Sequence, residues 1–92
     1  MPMLKLYQIS APTSATQVTS TRTPVRQVII SNSGANSTAV GDSTLGAATT
    51  GVQIASGASL TIGTAQASMS FDLTELYVIA ATGNVNIVAL LL

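Results

Sequence analysis

The chain has 92 residues, with three Lys+Arg, three Asp+Glu, no His and no Cys, which is enough for one small domain. Charged residues are 7 % of the total, against roughly 25 % in an average soluble domain. That inventory excludes a His general base, a thiolate nucleophile and the usual zinc, haem and iron–sulfur ligand sets, so neither an enzyme nor a cofactor-binding protein is expected.

The first predicted element is a strand over Leu4–Ile9. No long apolar stretch follows it, so a secretory leader is not expected. Ala11–Thr23 is rich in Thr and Ser, and Pro12 and Pro24 restrict it to edge pairing or an extended arm. Residues 1–23 therefore read as an N-terminal strand and arm, ahead of a β core over residues 24–92. Val25–Ser31 is the next strand, with Arg26, Val28 and Ile30 on one face and Val25, Gln27 and Ile29 on the other. It is apolar enough on both faces to be largely covered. Asn32–Asn36 has turn chemistry, because Asn and Gly tolerate positive φ and Asn side chains close Asx turns, so a hairpin or corner is expected there. Ser37–Val40 reads as a short strand ending at the Gly41-Asp42-Ser43 turn.

Gly51–Ala55 and Ala58–Ile62 both alternate, with Val52, Ile54, Leu60 and Ile62 expected inward and Ser56-Gly57 as the hairpin turn between them. After the Ala/Ser-rich connection Gly63–Ser70, Asp72 and Glu75 have the spacing of a capping box, which predicts a single helical or 3₁₀ turn. Tyr77–Ala80 and Val85–Leu92 are expected as a final hairpin around Ala81–Asn84. In the last strand Val85, Ile87 and Ala89 share one face and Asn86, Val88 and Leu90 the other. Both faces are too apolar for a solvated edge, so something should cover Leu90–Leu92.

No window carries a sustained helical stripe. Ser, Thr, Ala and Gly make up nearly half of the chain, yet Leu, Ile, Val and Phe exceed a quarter, above the roughly 20 % that marks disordered chains. The expected fold class is all-β, a small antiparallel β-sandwich or barrel, jelly-roll-like, of about six to eight short strands. The apolar runs Leu76–Ala81 and Val88–Leu92 fall far short of the roughly 18–20 residues that cross a bilayer, so no membrane partner is expected. Three scattered cations at zero net charge cannot neutralise several phosphates, so no nucleic-acid partner is expected either.

Asp42, Asp72 and Glu75 are the only acidic side chains, and two in one cleft could serve hydrolysis or hold a hard cation. Local roles account for them better: Gly-Asp-Ser is an Asx-turn setting and Asp72 is placed to cap. Ser and Thr hydroxyls lack an activating base. Gly41–Gly46 and Gly57–Gly63 lack the Lys-Ser/Thr and the helix of a phosphate loop. What remains are interface candidates, namely Leu4, Leu6 and Tyr7 in the first strand, Arg22 and Arg26 bracketing Pro24, and Leu90, Leu91 and Leu92 in the last strand. The two Arg side chains read equally well as solvated tips on a strand edge. A nearly uncharged chain with an expected stability of about 5–14 kcal/mol gains materially from burial against copies of itself or a larger partner, so a homo-oligomer is expected.

The order Arg26-x-x-x-Ile-Ser-Asn32, Val40-Gly-Asp-Ser43, Gly51-Val-x-Ile54, Gly57-x-Ser-Leu-Thr-Ile62 and Asp72-Leu-x-x-Leu-Tyr-Val-Ile-Ala80, closed by a Gly-Asn-Val turn, resembles small virion structural proteins of tailed bacteriophages. The resemblance covers residues 26–92. It implies a capsid decoration, or cement, protein: a short β-rich module, often a trimer, that binds the outer capsid surface of the virion and stabilises contacts between major capsid subunits. Its partners would be its own copies and the major capsid protein, its assembly would take place in the host cytoplasm, and it would need no cofactor. Residues 1–23 lie outside the resemblance, and Met3–Ile9 is expected to add as a strand to a neighbour's sheet edge. The alternatives are a tail, collar or fibre component used in host attachment, or a carbohydrate-binding module. The last has only Tyr7, Phe71 and Tyr77 on which to stack a sugar.

Overall fold

A computed structural model describes residues 4–10, 12–46, 51–64, 71–80 and 83–91. Expectations for Met3, Leu92, Ala81-Thr82 and most of the Gly63–Ser70 connection lie outside these residues. The described strands are β1 (Leu4–Ser10), β2 (Thr16–Gln17), β3 (Pro24–Asn32), β4 (Thr38–Gly41), β5 (Val52–Ile54), β6 (Ser59–Gly63), β7 (Phe71–Asp72), β8 (Tyr77–Ala80) and β9 (Asn84–Leu91). Sheet A has the order β1-β9-β3-β6, with β7 on the start of β3, and sheet B has the order β2-β8-β4-β5. Every pairing is antiparallel.

Apart from the two-residue β7, the first strand pairs with the last, β2 with β8, β3 with β6 and β4 with β5. This nested pattern is one long antiparallel hairpin folded over on itself into two layers, which is a jelly roll. The all-β sandwich expected from the sequence is the observed fold. Its core is built from Val28, Ile30, Val85, Ile87 and Ala89 of sheet A against Val40, Ile54, Val78 and Ala80 of sheet B, with Val25, Leu73 and Leu76 at one end. Each large side chain buried there contributes about 1.5–3 kcal/mol.

Strict alternation along β3 fails at one point. The register with β9 shifts between Val25 and Gln27, so Arg26 is the extra residue of a β-bulge. The bulge resets the alternation and puts Val25 on the buried face with Val28, Ile30 and Asn32, whereas the sequence pattern placed Val25 on the opposite face. Gly63 pairs with Gln27 beside the bulge. Its φ is +85°, and a Cβ there would collide with the Arg26 carbonyl oxygen, so glycine is required.

Two expected hairpins are corrected. The Ser56-Gly57 turn forms, with Ala58 N–H donating to the Ala55 carbonyl at 3.0 Å, but β5 belongs to sheet B and β6 to sheet A. β8 and β9 are divided in the same way. In both cases the chain crosses the sandwich, because β6 and β9 flank β3 in one sheet while β5 and β8 flank β4 in the other. Val52, expected inward, is 52 % exposed on edge strand β5. β9 is central between β1 and β3, so it is no solvated edge, as its composition required; of the residues expected to be covered, Leu91 packs against the core while Leu90 stays on the outer face. β1 pairs along its whole length with β9 of its own chain, so Leu4–Ile9 closes its own sheet where an arm reaching a neighbour was expected. The Asn32–Asn36 corner and the single 3₁₀ turn, at Leu73–Glu75, form as expected.

The strand directions segregate charge. The described parts of the β2–β3, β4–β5 and β6–β8 connections lie at one end of the sandwich, and Arg22, Asp42, Asp72 and Glu75 lie in or beside them. Lys5 and Arg26 sit near that same end of β1 and β3. Among the described residues, the connections at the opposite end contain no charged side chain.

Candidate functional site

Alternation and register put Leu4, Leu6 and Gln8 of β1, Leu90, Val88 and Asn86 of β9, and Gln27, Ile29 and Ser31 of β3 on the outer face of sheet A. Rows across the sheet follow from the pairing. Leu4 lies opposite Leu90, which lies opposite Gln27; Leu6 lies opposite Val88, which lies opposite Ile29. The next row is polar, and the Gln8 Nε2 amide donates to Asn86 Oδ1 at 3.1 Å. Five apolar side chains thus form one patch bordered by amides and hydroxyls, with the bulge residue Arg26 next to Gln27 at its edge. Leu4 is 59 % exposed and Leu6 73 %. A shallow groove of about 420 Å³ runs along Leu6, Gln8, Asn86 and Val88.

The outer face of sheet B is closed by the chain itself. Asp42 starts the β4–β5 connection by accepting the Thr44 amide at 2.9 Å on Oδ1, and its carbonyl accepts Leu45 N–H at 3.0 Å. This turn folds Leu45 back onto Ala39 and Ile79, with Tyr77 beside them. The two outer faces therefore differ in kind: one is covered by its own loop and the other is left open.

Of the residues expected at an interface, Leu4, Leu6 and Leu90 come together on this open face. Tyr7 turns the other way and packs against the core; its hydroxyl is buried with no hydrogen-bond partner, and Lys5 Nζ lies 5.5 Å from its ring centre. Leu91 is half-buried and also packs against the core. Arg26 sits half-buried at the bulge, where its Nε is buried without a partner. Arg22, with 83 % of its side chain exposed, points Nε at Asp72 Oδ2 over 3.6 Å. Leu92 lies outside the described residues. Val88 and Ile29 complete the patch but were not among the expected interface residues. The alternation of β9 groups Val88 with Leu90, whereas Ile29 can be assigned only once the three-strand register is known.

At the charged end, Lys5, Arg22, Thr21, Thr23, Pro24 and Leu91 line an open cleft of about 350 Å³. Asp72 lies beside it and is held in place: its Oδ1 accepts the Thr23 amide at 3.0 Å and the Thr74 amide at 3.1 Å, capping the 3₁₀ turn. These two amides, with the Arg22 guanidinium, hold the Asp72 carboxyl below the ordinary carboxylate range. Asp42 is lowered as well, first by the Thr44 hydroxyl and then by the Thr44 amide. Both aspartates thus serve their local turns, as their sequence settings suggested. Among the described residues no three Asp, Glu, His or Cys side chains gather in one place. No family model, curated protein or solved structure matches the chain.

Proposed function

We propose that the chain is a non-enzymatic virion structural protein of a tailed bacteriophage, a capsid decoration protein. It docks on the outer head surface through the open face of sheet A and, as a homotrimer, stabilises contacts between major capsid subunits. The observation that carries the docking part is the difference between the two outer faces. The chain spends Leu45 to close sheet B and leaves on sheet A an apolar patch in which Leu4 and Leu6 are exposed and Ile29, Val88 and Leu90 half-buried, an arrangement that marks an interaction surface. The virion part is supported by the motif resemblance over residues 26–92 and by the jelly-roll topology, which recurs in viral capsid domains. Such a protein works by mass action, since each bound copy lowers the free energy of the assembled shell without chemistry.

Two measurements on purified particles test this reading. Gel densitometry should find the chain at about the copy number of the major capsid protein, and purified chain should rebind stripped heads and raise their disruption temperature. A handful of copies per particle would assign it to the tail, collar or fibre. Failure of the chain to bind heads would remove the decoration role.

A further inference from the structure

We propose that the open face of sheet A and the cleft at its charged end are one continuous docking surface, built for a capsid subunit that presents apolar side chains bordered by a carboxylate. This rests on the decoration reading and adds the chemistry of the partner.

The continuity comes from strand alternation. In β1 and β9 the neighbours Leu4-Lys5 and Leu90-Leu91 point to opposite sides, so Leu4 and Leu90 lie on the open face while Lys5 and Leu91 line the cleft. A partner that covers the patch and turns around this end of the sheet meets Lys5 and Arg22 in the cleft. Both cations have charge to offer. Among the described residues Lys5 has only the Tyr7 ring, at 5.5 Å. Arg22 directs Nε at Asp72 at 3.6 Å, which leaves its terminal nitrogens for a planar, bidentate carboxylate contact. The Leu91 and Pro24 walls of the cleft favour an acid carried on an apolar segment over a free ion.

Area decides between a capsid subunit and a second copy of the chain. Four strands at about 4.8 Å spacing and seven residues at about 3.3 Å rise give an open face on the order of 450 Å². A stable two-body interface needs roughly 800 Å² per partner. Two copies joined by this face alone would separate, whereas a shell that presents many such sites to linked copies holds them by avidity. The charges disfavour one such pairing as well, because a two-fold axis running along the strands would bring Lys5 and Arg22 towards their own counterparts.

The test is co-sedimentation of the full chain with stripped heads at about 50 and about 500 mM salt, where exposed ion pairs are respectively strong and screened. Lys5→Gln/Arg22→Gln should weaken binding roughly tenfold at low salt and abolish the salt dependence, while Leu6→Ser should weaken it by a similar factor at both salts. All three positions are solvent-facing, so circular dichroism and thermal midpoints should match the parent chain. Unchanged, still salt-sensitive binding of the double variant would overturn the carboxylate contact and leave the decoration role standing. Absence of binding by the parent chain would overturn both. Self-association at micromolar concentration that Leu6→Ser disperses would give the surface to a second copy and overturn the proposal.

Discussion

Asn32 ends the core-facing series Val25, Val28, Ile30 of β3 with a polar side chain only 2 % exposed, and every polar atom of that side chain is used. Its amide donates to the Asn36 carbonyl at 2.7 Å and the Ile54 carbonyl at 2.9 Å, and its oxygen accepts the Gly34 amide at 2.9 Å. The Asx turn was legible in the sequence. The bond to Ile54, which ties β3 in one sheet to β5 in the other, was not, because it depends on how the chain folds over. Asn32→Leu strands the Ile54 carbonyl and the Gly34 amide away from water and should cost about 2–4 kcal/mol, measured by urea unfolding. Asp72 makes a prediction in pH. Its pKa is lower in the folded chain than in the unfolded one, so its contribution is present above about pH 4 and is lost as pH falls through the folded-state value. Asp42 acts in the same sense. Urea midpoints should therefore drop between about pH 5 and pH 2, and Asp72→Asn should show a smaller drop than the parent chain. An equal drop would mean that the carboxylate is not bonded to the Thr23 and Thr74 amides in solution.

At the scale of strands, periodicity located nearly every element but could not say which strand pairs with which. Ser56-Gly57 and Gly83-Asn84 have the composition of hairpin turns, and Gly57 and Gly83 do adopt positive φ. A turn residue sets local backbone geometry, however, and the same geometry serves a crossing between two sheets. Partner choice is set by burial on both sides of β9 and by the nine-residue length of β3, quantities that span the whole chain. The bulge was hidden for the same reason: nothing in Pro24-Val25-Arg26-Gln27 announces an extra residue until β9 supplies the register. Gly63 and Gly57 provide the test, since both hold positive φ. A Cβ at Gly63 meets the Arg26 carbonyl, whereas at Gly57 nothing lies within 4 Å. Gly63→Ala should therefore lose about 2–3 kcal/mol and Gly57→Ala about 1 kcal/mol, the cost of the backbone conformation alone. Equal losses in chemical denaturation would place the β3–β6 register elsewhere.

For the molecule as a whole, the sequence showed that something apolar would be left over but not on which side, because both outer faces carry Leu, Ile or Val. The structure resolves this with one side chain. Leu45, 7 % exposed, returns from the Asp42 turn to seal Ala39 and Ile79, and Gly41 makes room for it, since a Cβ there would lie 3.2 Å from Leu45 Cδ1. Sheet A has no equivalent among the described residues. Substitutions of equal size on the two faces should therefore behave differently. Leu45→Ser uncovers a packed face and should cost about 2–4 kcal/mol, with increased binding of an apolar dye. Leu6→Ser removes a side chain that is 73 % exposed, should stay within about 0.5 kcal/mol of the parent, and should reduce dye binding. The comparison also reports on the state of the free chain. If Leu6→Ser proves as costly as Leu45→Ser, the open face is already covered in solution, and the loss should then grow with protein concentration, as linkage to self-association requires.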